Sequence, residues 1–114
     1  MRQYKGIIVH HSVCHSINGK GYDYFISRSG QVIPGSEPVD ADYVHICLEG
    51  NFNQALDEQD DAIAEQIFML QKWITLLYRR HPYMQEDILP HGEHCPGVHF
   101  PWAKLVISLE DRYH

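Results

Sequence analysis

Residues 4–12, with the sequence YKGIIVHHS, restrict the fold more than any other stretch of this chain. The centre of the run is apolar and β-branched at successive positions, and Gly6 and Ser12 bound it. Because side chains alternate across a strand, this pattern predicts a strand that is buried on both faces. His10 and His11 must then point to opposite sides of the sheet, so only one of them can serve a given site.

Three further stretches before residue 51 have strand character. Residues 21–37 place aromatic and β-branched residues on either side of a turn at Ser29 and Gly30, which predicts a hairpin. Residues 43–50 predict another strand, and Asp40 and Asp42 lie in the short acidic loop before it. Four short strands are therefore expected before any helix.

Helical periodicity appears in the second half of the chain. Apolar residues recur at offsets of three and four within residues 57–80, at Ile63, Ile67, Leu70, Ile74 and Leu77. Asp57, Asp60 and Asp61 suit the N-terminal end of this helix, and Arg79, Arg80 and His81 suit its C-terminal end. Pro101 is well placed for the first turn of a last helix over residues 101–114. The order of elements predicts an α/β fold with one domain over residues 1–114.

Composition excludes several classes of function. A formal net charge of -6, without a basic cluster longer than Arg79–Arg80, argues against a nucleic-acid partner. The first twelve residues contain no signal-peptide core, and no stretch is apolar enough for a membrane span. Three cysteines leave one unpaired in any disulfide scheme, which favours reduced thiols, metal ligation or buried packing.

The stretch LPHGEHCPGVHFPW at residues 89–102 concentrates three histidines, one cysteine and one glutamate. A catalytic zinc site typically takes three protein ligands from His, Cys or a carboxylate. His91, Cys95 and His10 at the strand end are candidates, with His94 and His99 in reserve. The alternative is a surface loop with solvated histidines and a buried thiol, and His10 taken alone is better explained as a hydrogen-bonded histidine beside the core than as a ligand. His45 is interpreted as a non-ligand, and Cys47 as a small buried hydrophobe.

Four motifs occur in the order expected of one family. They are IIVHHS at 7–12, GYDYFISRSGQVIPG at 21–35, VHICLEGNF at 44–52 and HGEHCPGVHFPW at 91–102. Together they resemble the zinc-dependent N-acetylmuramoyl-L-alanine amidases of the phage-lysozyme type, which share a fold with the peptidoglycan recognition proteins. The resemblance covers nearly the whole chain and implies a central mixed β-sheet flanked by helices.

The resemblance also implies a set of site residues. The family's three zinc ligands fall on His10, His91 and Cys95, and the tyrosine of its GY motif, whose hydroxyl lies near the metal, falls on Tyr22. Many relatives carry Lys or Thr two residues before the ligand cysteine, whereas this chain has Glu93. A carboxylate there is expected to act as a general base toward water at the metal.

Only three residues separate His91 from Cys95, fewer than in relatives. Two expectations follow from this short connection. Either the loop tightens around the metal, or His94 replaces one of the expected ligands.

The function implied is hydrolysis of the amide bond between N-acetylmuramic acid and L-alanine in peptidoglycan, with Zn²⁺ as cofactor. The partner expected is peptidoglycan or a muramyl peptide, with neither nucleic acid nor membrane, and a monomer is expected. A phage or prophage endolysin that is cytoplasmic until released, and then acts on the cell wall, fits the lack of a signal peptide. The alternatives are a non-catalytic module that binds muramyl peptide and a structural zinc held by Cys14, His15, His91 and Cys95.

Overall fold

The computed structural model describes residues 4–13, 22–35, 40, 42–55, 60–81, 84, 88–92 and 95–105. Within these ranges, five strands form one sheet in the order β3-β2-β4-β1-β5. Their bounds are Gly6–His11 (β1), Tyr24–Ile26 (β2), Val32–Pro34 (β3), Tyr43–Leu48 (β4) and Ile88–Pro90 (β5). β1 runs parallel to β4 and β5, β2 runs parallel to β4, and β2 and β3 are antiparallel. The predicted mixed sheet is confirmed.

The interior strand β1 lies between β4 and β5, as its apolar sequence predicts. Ile7, Val9 and His11 are buried on one face, and His10 is buried on the other. The register pairs Ile8 with His45 and His10 with Cys47. Paired residues of neighbouring strands share a face, so these four side chains lie on one side of the sheet.

The hairpin and its turn are also confirmed. The backbone amide of Gly30 donates to the carbonyl of Ser27 over 2.9 Å, and the amide of Ser27 donates to the carbonyl of Gln31 over 3.0 Å. Gly30 has a φ of 83°, a left-handed conformation that glycine adopts at little cost. The sequence therefore places a glycine at the turn position that requires a positive φ.

One long helix, α1 (Asp61–Arg80), follows the fourth strand. It begins at Asp61 rather than at Asp57, because Asp60 is the N-cap and its side chain accepts from the amide of Ala62 over 2.9 Å. Asp57, Asp60 and Asp61 are each compatible with the N-terminal end of a helix, and only the capping contact of Asp60 shows where the helix begins. No helix in the described ranges is long and apolar enough to cross a membrane.

The core lies between α1 and one face of the sheet. The predicted helix residues Ile67, Leu70, Ile74 and Leu77 are buried in one cluster with the strand residues Ile7, Val9, Ile26, Val44, Ile46 and Leu48. Trp73 of α1 packs against the sheet, and its ring meets that of Tyr24 edge-on with centroids 5.2 Å apart. Because the helix covers this face, a site built from His10 must lie on the opposite face.

Two elements near the C-terminal end differ from the prediction. β5 is an edge strand of three residues that ends in Pro90, too short for a periodic pattern. Pro101 precedes a single 3₁₀ turn, Trp102–Lys104, instead of the first turn of an α-helix. The rest of the predicted last helix lies outside the described residues.

Candidate metal centre

His10 reaches the site because β1 ends there. It is the fifth residue of β1, and its ring is 3% exposed. His11 points the other way, where its Nδ1 accepts from the backbone amide of Phe52 over 3.0 Å. The predicted division between the two histidines is confirmed, and only His10 faces the cluster described below.

His91 and Cys95 lie in the loop that follows β5, the neighbour of β1. His91 directly follows Pro90, the last residue of β5. Gly92 and Cys95 then pair through two backbone hydrogen bonds of 3.0 and 3.3 Å, which holds these two residues next to each other. The His91 and Cys95 side chains both lie beside His10. His94, the alternative ligand, lies outside the described residues.

The segment after Cys95 is fixed to the turn that follows β4. The amide of His99 donates to the carbonyl of Phe52 over 2.8 Å, and the amide of Val98 donates to Asn53 Oδ1 over 3.1 Å. Gly97 has a φ of 112°, and a Cβ there would meet the backbone of Phe52 and Asn53. The Cys-Pro-Gly sequence therefore permits a close backbone approach that holds the cysteine loop against the sheet.

Three potential ligand atoms converge at the C-terminal ends of β1 and β5. One atom each from His10, His91 and Cys95 lies within 4.8 Å of the others. Cys95 Sγ is 3.8 Å from His10 Nδ1, and the rings of His10 and His91 have centroids 4.4 Å apart. Ligands of a tetrahedral zinc with usual bond lengths are about 3.6 Å apart for a nitrogen and a sulfur. The group has the spacing and donor types of a metal centre.

His10 has a second partner on the side away from Cys95. His10 Nε2 lies 2.7 Å from His45 Nδ1, and His45 Nε2 lies 2.9 Å from Asp40 Oδ2. Sequence reasoning treated His45 as a non-ligand and named Asp40 only as part of an acidic loop. His45 lies outside the three-residue cluster and contacts one of its members, His10. The signal available was strand alternation, which places His45 on the same face as Cys47.

Burial and neighbouring imidazoles lower the pKa values of both cluster histidines. Burial, followed by the charges of His45, His91 and His11, lowers the pKa of His10 to about 3. Burial and then His45 also lower the pKa of His91. A hydrogen bond from His45 is the main cause that lowers the pKa of Asp40. Neutral imidazoles have the free lone pair that a metal requires, so the electrostatics suit metal binding.

Of the two predicted catalytic residues, the structure describes only Tyr22. Tyr22 lies just before β2, and its ring contacts Phe25 with centroids 5.2 Å apart. Phe25 pairs with Cys47, so this contact is on the face of the sheet that carries His10. Tyr22 is not one of the three clustered residues. Glu93 lies outside the described residues, as do Cys14 and His15 of the alternative structural site.

No protein-family model matches the chain, and no curated protein matches it significantly. Solved structures do match. The N-acetylmuramoyl-L-alanine amidase LysC from Clostridium intestinale URNW has a TM-score of 0.67 at 22% identity, over 91% of this chain and 83% of that chain. The endolysine amidase LysCS from the same organism has a TM-score of 0.54 at 20% identity, over 91% and 82%.

A selenomethionine derivative of AmpD matches with a TM-score of 0.66 at 15% identity, over 91% of this chain and 83% of that one. These similarities extend over most of both chains. At such identities they establish architecture. The chain has the fold of the N-acetylmuramoyl-L-alanine amidases.

Proposed function

We propose that the chain is a zinc-dependent N-acetylmuramoyl-L-alanine amidase that hydrolyses the bond between N-acetylmuramic acid and L-alanine in peptidoglycan. The observation that carries this proposal is the convergence of His10, His91 and Cys95 within an amidase fold. A fold alone does not specify a reaction. The proposal therefore depends on the two imidazoles and the thiol that converge in this fold.

The donor set fits zinc better than the common hard cations. Two imidazoles and one thiol are nitrogen and sulfur ligands, whereas Mg²⁺ and Ca²⁺ prefer oxygen. Three protein ligands leave a fourth position open, which is typical of catalytic rather than structural zinc. When bound, zinc supplies Lewis-acid chemistry, which polarises a carbonyl and lowers the pKa of water to about 7.

The chain's own groups then have separate tasks in amide hydrolysis. Water adds to the lactyl carbonyl carbon, the carbon–nitrogen bond breaks, and the amino group of alanine leaves with a proton. Glu93 is proposed to take the proton from water and deliver it to the leaving nitrogen. The Tyr22 hydroxyl is proposed to donate a hydrogen bond to the carbonyl oxygen as negative charge develops, a contact typically worth about 3 kcal/mol.

The proposed substrate sets the place of action. Peptidoglycan lies in the cell wall, and one structural neighbour is named an endolysine. The chain is therefore proposed to act as an endolysin-type monomer that is cytoplasmic until it is released onto the wall.

The test combines metal content with product analysis. Zinc per chain and release of new N-terminal alanine from purified peptidoglycan are measured for the wild type, Cys95→Ala and His99→Ala. We expect one zinc and alanine release in the wild type and in His99→Ala, whose histidine is exposed in the same loop, and loss of both in Cys95→Ala. Zinc without alanine release would instead indicate a muramyl-peptide binding module, and absence of zinc would refute the metal centre.

A further inference from the structure

A series of hydrogen bonds leads from His10 of the metal cluster through His45 to the carboxylate of Asp40. His10 Nε2 and His45 Nδ1 are 2.7 Å apart, and His45 Nε2 and Asp40 Oδ2 are 2.9 Å apart. The other nitrogen of His10, Nδ1, is the one that lies 3.8 Å from Cys95 Sγ. His10 therefore uses Nε2 to contact His45, outside the cluster, and Nδ1 to face Cys95, inside it.

The positions of the protons follow from the carboxylate. An ionised Asp40 can only accept, so His45 Nε2 must donate to it. A neutral His45 then has its lone pair on Nδ1, and the short contact to His10 Nε2 requires the proton on His10. With His45 neutral, this arrangement favours the Nε2–H tautomer of His10, in which the lone pair of Nδ1 is directed toward Cys95.

Asp40 and His45 are each held in place by a further hydrogen bond. Asp40 Oδ1 accepts from the backbone amide of Asp42 over 2.8 Å. The backbone amide of His45 donates to Asp23 Oδ2 over 2.8 Å, and His45 sits in β4, which is paired with β1. Asp40 and His45 are therefore part of a built arrangement rather than two mobile surface side chains.

We propose that His45 and Asp40 are positioning residues that fix the tautomer and the ring orientation of His10 for metal binding. This inference rests on the proposed zinc site and assigns it a carboxylate–histidine support. Metal-bound histidines generally donate their second N–H to such a partner, and loss of the partner typically weakens metal binding by about 10-fold to 100-fold. Here the partner is a second histidine, and the carboxylate lies one residue further away.

The first measurement needs no metal. Long-range ¹H–¹⁵N correlation spectra of the ¹⁵N-histidine-labelled, metal-free protein distinguish the two neutral tautomers of His10. We expect Nε2–H in the wild type and in His99→Phe, and a mixture of tautomers in His45→Phe, which lacks the acceptor. An Nδ1–H tautomer of His10 in the wild type would overturn the inference.

The second measurement is zinc affinity by competition with a chromophoric chelator. We expect His45→Phe to bind zinc about 10-fold to 100-fold more weakly than the wild type and His99→Phe. His45→Asn should recover part of the affinity, because its side-chain oxygen can accept from His10 near the place of Nδ1. A purely structural role for His45 would give no such recovery.

Asp40→Asn is a second variant that tests the same role if the His45 variants misfold. Asp40 is partly exposed, and asparagine has nearly the same shape as aspartate. We expect this variant to bind zinc about tenfold more weakly. If the wild type binds zinc and neither His45→Phe nor Asp40→Asn differs from it, the positioning role fails while the proposed function stands. If the wild type binds no zinc, both fail.

Discussion

His10 and His45 lie on neighbouring parallel strands, with Nε2 of the first 2.7 Å from Nδ1 of the second. The contact is diagonal, since His10 is level with Cys47 and His45 is level with Ile8. It leaves Nδ1 of His10 directed at Cys95. The strand pairing thus determines which nitrogen of His10 faces the cluster.

His91→Gln should abolish zinc binding and amidase activity, because glutamine is a poor zinc ligand and two remaining ligands do not make a stable site. The matched control is His99→Gln, which changes an exposed histidine in the same segment. Zinc content and alanine release are measured for both. Equal zinc content in the two variants would remove His91 from the ligand set.

Gly97→Ala should destabilise the metal-free protein by about 1–3 kcal/mol. Gly97 has a φ of 112°, and a Cβ there would press on the backbone of Phe52 and Asn53. Gly92→Ala is the control, since a Cβ at Gly92 meets nothing within 4 Å. Urea unfolding with chelator present gives the free energy of unfolding of each variant. Equal losses would show that the close approach at Gly97 is unimportant.

Gln66→Leu should lower the free energy of unfolding by about 1–3 kcal/mol, although it adds apolar surface to α1. Gln66 is 1% exposed, and its Nε2 donates to the carbonyls of Ile26 and Glu49 over 3.2 and 2.8 Å. Leucine leaves both carbonyls without this donor. Lys72→Leu, at an exposed position of the same helix, should change stability by less than about 0.5 kcal/mol. A neutral or stabilising Gln66→Leu would contradict the assigned role.

Stability should depend on pH through His81, the residue that caps the C-terminal end of α1. Burial, and then the charge of Arg80, lower its pKa in the folded protein. The unfolded chain therefore binds the proton more readily, so stability is present above the unfolded pKa of about 6.5 and is lost as pH falls below it.

His81→Gln tests this expectation. Thermal unfolding of the metal-free protein at pH 7.5 and pH 5.5 should show a smaller loss of stability in His81→Gln than in the wild type. His99→Gln, at an exposed position, should behave as the wild type does. An identical pH dependence in His81→Gln and wild type would rule out a contribution from His81.

Features that depend on neighbouring residues in the chain were predictable. The apolar run around Ile7 and Val9 predicts an interior strand, and the recurrence of Ile67, Leu70 and Ile74 predicts the buried face of α1. Strand alternation separates His10 from His11, because consecutive side chains of a strand must point to opposite faces. The resemblance to the amidases supplied His10, His91 and Cys95 as a ligand set, and the structure brings them together.

What the sequence by itself determined is local: which segments form strands or helix, and which side of each is apolar. The tertiary structure alone decided that β1 lies between β4 and β5, which places both His45 and His91 beside His10. It also decided that Asp40 reaches His45. The physical reason is that pairing between strands far apart in the sequence depends on the burial and hydrogen bonding of the whole sheet. A pattern of neighbouring residues does not contain that information.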